Sequence, residues 1–177
     1  MLKIFTTQLQ GHFNRIMEQE EMNMEDGARI LAQSIISEGS IFVHGCGEMA
    51  AVETEALFGA EPLLSAKPLF TNDKMNEVEG VDSVLLITRF STDKEAIKLA
   101  EELHDNGIQT VAISAIVKTE GEHTLNEVVD IHIDSKLTKP LIPDDLGTRF
   151  GFPSVMTALY AYFGLKFTIK EMVEEFD

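Results

Sequence analysis

Tryptophan is absent from this 177-residue chain, and cysteine occurs once, at Cys46. A lone cysteine excludes a disulfide within the chain and points to a reducing compartment, so a cytoplasmic location is expected. Basic residues are scarce, 14 Lys and Arg against 30 Asp and Glu, for a formal charge of −16. That surplus repels nucleic-acid phosphates and anionic lipid, so neither is expected as a partner. No apolar run reaches the ~20 residues of a membrane-crossing helix. The densest, around residues 152–165, is interrupted by Ser154 and Thr157. The N-terminus carries an early lysine and no block resembling a signal sequence. What remains is a globular balance, 44% hydrophobic and 25% charged. The length suits one domain over residues 1–177.

Leu2, Phe5, Leu9, Phe13 and Ile16 recur at steps of three or four, which predicts an amphipathic helix over residues 2–20. A second helix is predicted from Met24 to Ser37, with Ala28, Leu31 and Ile35 on one face and Glu38-Gly39-Ser40 stopping it. These two helices (1–38) precede an α/β core over 40–177. Ser40–His44 reads as a buried strand and Gly45-Cys46-Gly47 as its break. Helical spacing then resumes with Ala51, Thr54, Glu55 and Phe58. A second unit follows: strand Ser83–Ile87, a turn over 88–92, and a helix from Asp93 to Asn106 closed by Gly107. Thr110–Ser114 and Val128–Ile133 supply two more strands. Residues Lys136–Gly151 read as a long loop, and two helices near Pro153–Phe163 and Thr168–Phe176 close the chain. Apolar runs that continue rather than alternate belong to parallel strands covered on both faces. The expected fold is a doubly wound α/β sandwich, and its ligands sit beyond the carboxyl ends of the strands where strand order reverses. The turns at 44–49 and 88–93 are therefore the places to look.

In the first turn, Gly45 and Gly47 permit positive φ and close backbone approach, beside the N–H groups of the following helix. Both an anion cradle and a plain tight turn fit. His44 and Cys46 flank Gly45, but a structural zinc site needs four ligands and no second cysteine exists, so no metal is expected. In the second turn, Thr92 and Glu95 match a capping box for the helix starting at Asp93. Thr88, Ser91 and Thr92 offer hydroxyls and Arg89 a bidentate phosphate donor. That set suits a phosphate monoester, whereas Asp93 repels one.

Together, IFVHGCGEM at 41–49, TRFSTD at 88–93, TVAIS at 110–114 and VVDIHI at 128–133 resemble the sugar isomerase (SIS) domain family, closest to its single-domain, phosphoheptose isomerase-like branch. The resemblance spans nearly the whole chain. It implies a flavodoxin-like five-stranded parallel sheet and a small phosphorylated sugar as ligand. It implies binding residues Gly45, Cys46, Gly47, Glu48, Met49, Thr88, Arg89, Ser91, Thr92 and Asp93, with no cofactor. The amphipathic N-terminal helices add the expectation of a homodimer or larger homo-oligomer.

The chemistry departs from the family's pattern. Met49 stands where the first motif has Ser. Thr88, Phe90, Ser91 and Asp93 replace four positions of the second. The His and Glu that the isomerases carry on the helix after G-x-G align with Glu55 and Gly59, and no histidine follows His132. Proton transfer beside a carbonyl needs a base and an acid. The candidates are Glu48 and Glu55, with Glu53 beside them and Arg149 and His123 in loops. The expected function is a phosphosugar-binding protein, either a divergent isomerase or a non-catalytic binder. The alternative is an interaction module whose ligand site has decayed. A flavin or receiver domain is the third reading, and the first strand lacks the acidic cluster a receiver needs.

Overall fold

In the computed structural model, which describes residues 1–176, the chain runs α1 (Leu2–Ile36), β1 (Ile41–Gly45), a 3-10 turn (Gly47–Met49), α2 (Ala50–Phe58), β2 (Ala66–Pro68), β3 (Phe70–Thr71), β4 (Lys74–Met75), β5 (Ser83–Phe90), α3 (Lys94–Asp105), β6 (Gln109–Ala115), α4 (Leu125–Val128), β7 (Ile131–Asp134), β8 (Ile142–Pro143), β9 (Arg149–Phe150) and α5 (Ser154–Glu174). Five strands form one parallel sheet in the order β2-β1-β5-β6-β7. This is the doubly wound, flavodoxin-like order.

The apolar runs are continuous because both faces of the sheet are covered. Ile41, Val43, Leu85, Ile87, Val111 and Ile113 belong to one core, shared with Ile16, Leu31, Val52, Tyr162 and Leu165 of α1, α2 and α5. The intervening Phe42, Val84, Leu86 and Ala112 belong to the other, with Ala96, Ala100 and Leu103 of α3 and Leu125 of α4. Each such aliphatic side chain contributes about 1.5–3 kcal/mol on burial. No helix among the described residues is long and apolar enough to cross a membrane.

Both N-terminal segments are helical, but no turn divides them, and α1 is one 35-residue helix. Residues 20–24 hold no proline or glycine, and Glu20 and Met24 are both buried, so the stripe runs on unbroken. Past its end the left-handed step is taken by Glu38 (φ 61°). Gly39 answers a close approach instead, since a Cβ there would sit 2.4 Å from the Val81 carbonyl oxygen. The two closing helices are likewise one, α5. Gly164 does not break it; a Cβ at that position would meet Met24 Sδ at 2.7 Å, so the glycine lets α1 pack close.

Other differences are local. The set Ala51, Thr54, Glu55 and Phe58 is the outer side of α2; Met49, Val52 and Ala56 enter the core. Val128 ends α4; of the expected fourth strand only Ile131–Ile133 pairs with β6, and the ladder runs on to Asp134. The fifth strand, β2, is a three-residue edge containing Pro68, too short to show a pattern. The 136–151 loop carries the antiparallel ladder β8–β9, and its Leu137, Leu141 and Ile142 pack with Leu9 of α1.

Candidate functional site

β1 and β5 are neighbours in the sheet, yet α2 after β1 joins one core and α3 after β5 joins the other. Their carboxyl ends are therefore the switch point. The glycine turn is pinned there by Cys46 N donating to Ile87 O (2.8 Å) and Met49 N to Cys46 O (3.0 Å). A Cβ at Gly45 would lie 2.1 Å from the Met49 carbonyl oxygen, and Gly47 takes the left-handed conformation (φ 57°). Between this turn and Thr88–Asp93 lies a cavity of about 410 Å³. A second hollow of about 340 Å³, bounded by His44, Gly45, Phe70 and Leu99, shares Cys46, Gly47 and Glu95 with it. A larger one, about 700 Å³, lies at the far end of the sheet beside β4 and the last turn of α3, away from the switch point.

Two carboxylates organise the cleft. Glu48 is held by Arg89 in a fork, Nε to Oε1 at 2.5 Å and a terminal nitrogen to Oε2 at 2.8 Å, and accepts the Ser154 hydroxyl at 3.0 Å. The guanidinium is the main reason the Glu48 carboxyl is held below the usual carboxylate range, and Ser154 adds to it. Asp93 accepts Glu95 N (3.0 Å) and Ala96 N (3.3 Å) at Oδ1 and the Thr88 hydroxyl (2.5 Å) at Oδ2. Asp93, not Thr92, is thus the N-cap of α3, and the Thr92–Glu95 capping box does not form. The helix starts one residue later than the motif suggests, because Asp93 itself keeps extended backbone angles and supplies the acceptor. A true box sits on α4, between Thr124 and Glu127.

The remaining titratable neighbours are tied down as well. Burial, reinforced by Asp93, pushes the Cys46 thiol up to about 12, so it stays protonated. Burial opposes ionisation of Glu53, but hydrogen bonding to His44 and Gly45 N outweighs it and leaves the carboxyl below its usual range. Glu53 Oε2 accepts Gly45 N at 2.8 Å and lies 3.6 Å from His44 Nδ1. Among the described residues no three His, Cys, Asp or Glu gather closely enough to hold a metal ion.

Cys46, Gly47, Glu48, Thr88, Arg89, Thr92 and Asp93 meet at one cavity, with Gly45 at the adjoining one. Met49 and Ser91 do not join them. Met49 is 1% exposed and fills the core beside α5. The β5–β6 register shifts between Ile87 and Phe90, and this irregularity turns Ser91 inward. Its hydroxyl accepts Val117 N at 2.9 Å and anchors the loop after β6. Glu55 lines neither cavity; it lies beside Gly59 and, secondary to burial, raises the Tyr162 phenol pKa. Arg149 donates to the carbonyls of Pro140 and Leu141, bracing the loop, and His123 is exposed near Glu127. Ser154 escapes a sequence reading, whereas Phe90 stands at a motif position and lines the cavity. The Phe90 ring meets Phe152 edge-on (5.8 Å), and nothing local announces that Ser154 reaches residue 48.

A solved structure of a provisionally assigned phosphosugar isomerase from Silicibacter pomeroyi DSS-3 matches with a TM-score of 0.66 at 15% identity, over 91% of this chain and 47% of that one. The present chain thus spans about half the length of that protein. A hypothetical protein of known structure gives a TM-score of 0.66 at 14% identity, over 98% of this chain and 88% of the other. The likeness is one of fold, an α/β sandwich around a five-stranded parallel sheet. The uncharacterized protein YwjG of Bacillus subtilis (strain 168) is 46% identical over 176 residues, 99% of each chain. The model of a domain of unknown function, DUF2529, matches residues 1–173, from the start of α1 into the last turn of α5, and the chain belongs to that family.

Proposed function

We propose that this chain binds a small phosphorylated sugar in the switch-point cleft and does not isomerise it. One observation carries the reading: Arg89, the one cation in the cavity wall, is engaged by a carboxylate from the opposite loop at the protein surface. Such a half-exposed pair is worth at most about 1 kcal/mol. A phosphate dianion presents the same paired oxygens with more charge. It replaces Glu48 on Arg89 and leaves Glu48 and Ser154 to hydrogen-bond the sugar. Isomerisation is disfavoured because the candidate bases are poor or misplaced. Glu48 is a weakened base, the Cys46 thiol is neutral, and Glu55 lies outside the cleft. The fold likeness to the Silicibacter protein agrees with the ligand class, although fold alone does not convey activity. A cytoplasmic location without a nucleic-acid partner belongs to the same proposal, and the single cysteine and acidic charge support it.

Asp93 favours a second reading, an interaction module on the same scaffold. Its carboxylate already takes the Thr88 hydroxyl and two N–H groups at the start of α3, the donors a phosphate would use. A thermal-shift screen of triose to heptose phosphates and amino-sugar phosphates separates the two. Binding predicts a rise in Tm that the double variant Arg89→Ala, Thr92→Ala abolishes, with no turnover of the hit in an isomerisation assay. Turnover would return the protein to the isomerases. No shift at millimolar concentrations across the panel selects the interaction module.

A further inference from the structure

The cavity of about 700 Å³ at the far end of the sheet lies between the segment Lys74–Val78 and the end of α3. That size is ordinary for a small-molecule site. Past β4 the chain runs on through residues 76–79 without a turn or bend. Asn76 N donates inward to Leu69 O at 2.8 Å. Beyond it, the N–H groups of Glu77 and Val78 and the carbonyls of residues 76–78 have no backbone partner among the described residues. Hydrogen-bonding direction alternates along an extended chain, so Glu77 turns its N–H and C=O outward where Asn76 turned inward. An open backbone run of this kind is a template for one more strand. We propose that this cavity binds a short apolar peptide with free ends, laid along Met75–Val78.

Charge, span and floor select that ligand. Lys74 is the one cation in the cavity wall and Glu77 the one anion; both are exposed, and neither is engaged in an ion pair among the described residues. Asn76 Nδ2 donates to Pro68 O (2.8 Å) and Asn106 Nδ2 to Glu102 O (2.7 Å), so both amides keep their oxygens free to accept. With Glu77 they suit the ammonium end of a peptide, and Lys74 suits its carboxylate. That placement sets the peptide antiparallel to the segment. Lys74 and Glu77 are three residues apart, about 10 Å along extended chain, a span that matches a tripeptide and exceeds a single amino acid. Leu103 and Ile108, 2% and 7% exposed, form the floor, and Met75 and Val78 pack on the same core. An apolar side chain of the peptide rests there. The cavity shares no wall residue with the sugar cleft, so the proposal stands apart from the sugar-binding reading.

Calorimetric titration of the full chain with leucyl-alanyl-leucine tests this. Saturable binding in the sub-millimolar range is expected. The same peptide, acetylated and amidated at its ends, is expected to bind at least about tenfold more weakly, and free leucine to give no signal at millimolar concentration. Lys74→Gln and Glu77→Gln change exposed positions and are expected to keep the circular dichroism spectrum, while each weakens the tripeptide about fivefold. Absence of saturable binding by the tripeptide overturns the proposal. So does binding that end-capping or both substitutions leave unchanged, because the charged ends are then not read by this wall. Leucine that binds as tightly as the tripeptide overturns the added-strand pose and makes the site one for a single amino acid.

Discussion

Thr88 and Asp93 are joined hydroxyl to carboxylate across 2.5 Å, and the same carboxylate caps α3. The anion at this helix start is therefore one of the protein's own residues. Asp93→Ser keeps a capping oxygen and removes the charge, so stability should change by less than about 1 kcal/mol. The variant should bind inorganic phosphate about tenfold more tightly than the wild type, because the helix start then adds its donors to Arg89. At tenfold excess over Kd that is about 1.4 kcal/mol, or roughly 4 °C in Tm. Equal responses of variant and wild type would show that Asp93 does not keep phosphate from the helix start.

Glu48 competes with a ligand for Arg89, so its removal should help binding. Glu48→Gln keeps the Ser154 contact and drops the competing charge. Affinity for a sugar phosphate identified in the screen should rise about fivefold, the equivalent of losing a surface pair of about 1 kcal/mol. Calorimetric titration measures it, and a weaker complex would place Glu48 among the groups that hold the ligand throughout.

The two glycines of the first turn answer different constraints. Gly45→Ala drives a methyl group into the Met49 carbonyl, so a loss of about 3 kcal/mol or more is expected in urea unfolding. Gly47→Ala meets no atom within 4 Å and carries only the left-handed penalty, about 1–2 kcal/mol. Reversed magnitudes would mean that the turn is shaped by φ rather than by contact.

His132 on β7 places Nε2 2.7 Å from Ser114 Oγ, while its buried Nδ1 has no partner among the described residues. Burial lowers its pKa to about 4, against the pull of Asp134 and Glu20 and with the help of Lys136. The unfolded imidazole titrates near 6.5, so between the two values the unfolded chain binds more protons. Its contribution to stability is complete above about pH 6.5 and falls as pH drops toward 4, by up to about 3 kcal/mol. Urea unfolding at pH 7 and pH 5 should show the loss, and His132→Gln should flatten it. An unchanged slope in the variant assigns the dependence to other groups.

The sheet was legible because its strands are apolar on both faces, and a run such as SVLLI cannot face water on either side. β2 was not, since Ala-Lys-Pro at an edge has neither length nor pattern. The location of the cleft followed from the glycine turn and the hydroxyl-rich turn. The direction of individual side chains did not: the irregular register after Ile87 sends Arg89 outward and Ser91 inward, which spacing alone does not encode. The helix breaks expected near residues 20 and 164 failed for a related reason. Glu20 is buried against Lys136 and Gly164 packs against Met24, contacts made across the fold rather than along the chain.

Because α1 packs on α5, a helix made early is completed by one made more than a hundred residues later. At roughly 5–20 residues per second, on the order of ten seconds pass while residues 37–153 are made. Throughout that interval the apolar stripe of a 35-residue helix waits without its partner. The fold closes only once residues 154–174 have been made, so the nascent chain, more than the folded protein, is the form most exposed to aggregation and most dependent on chaperones.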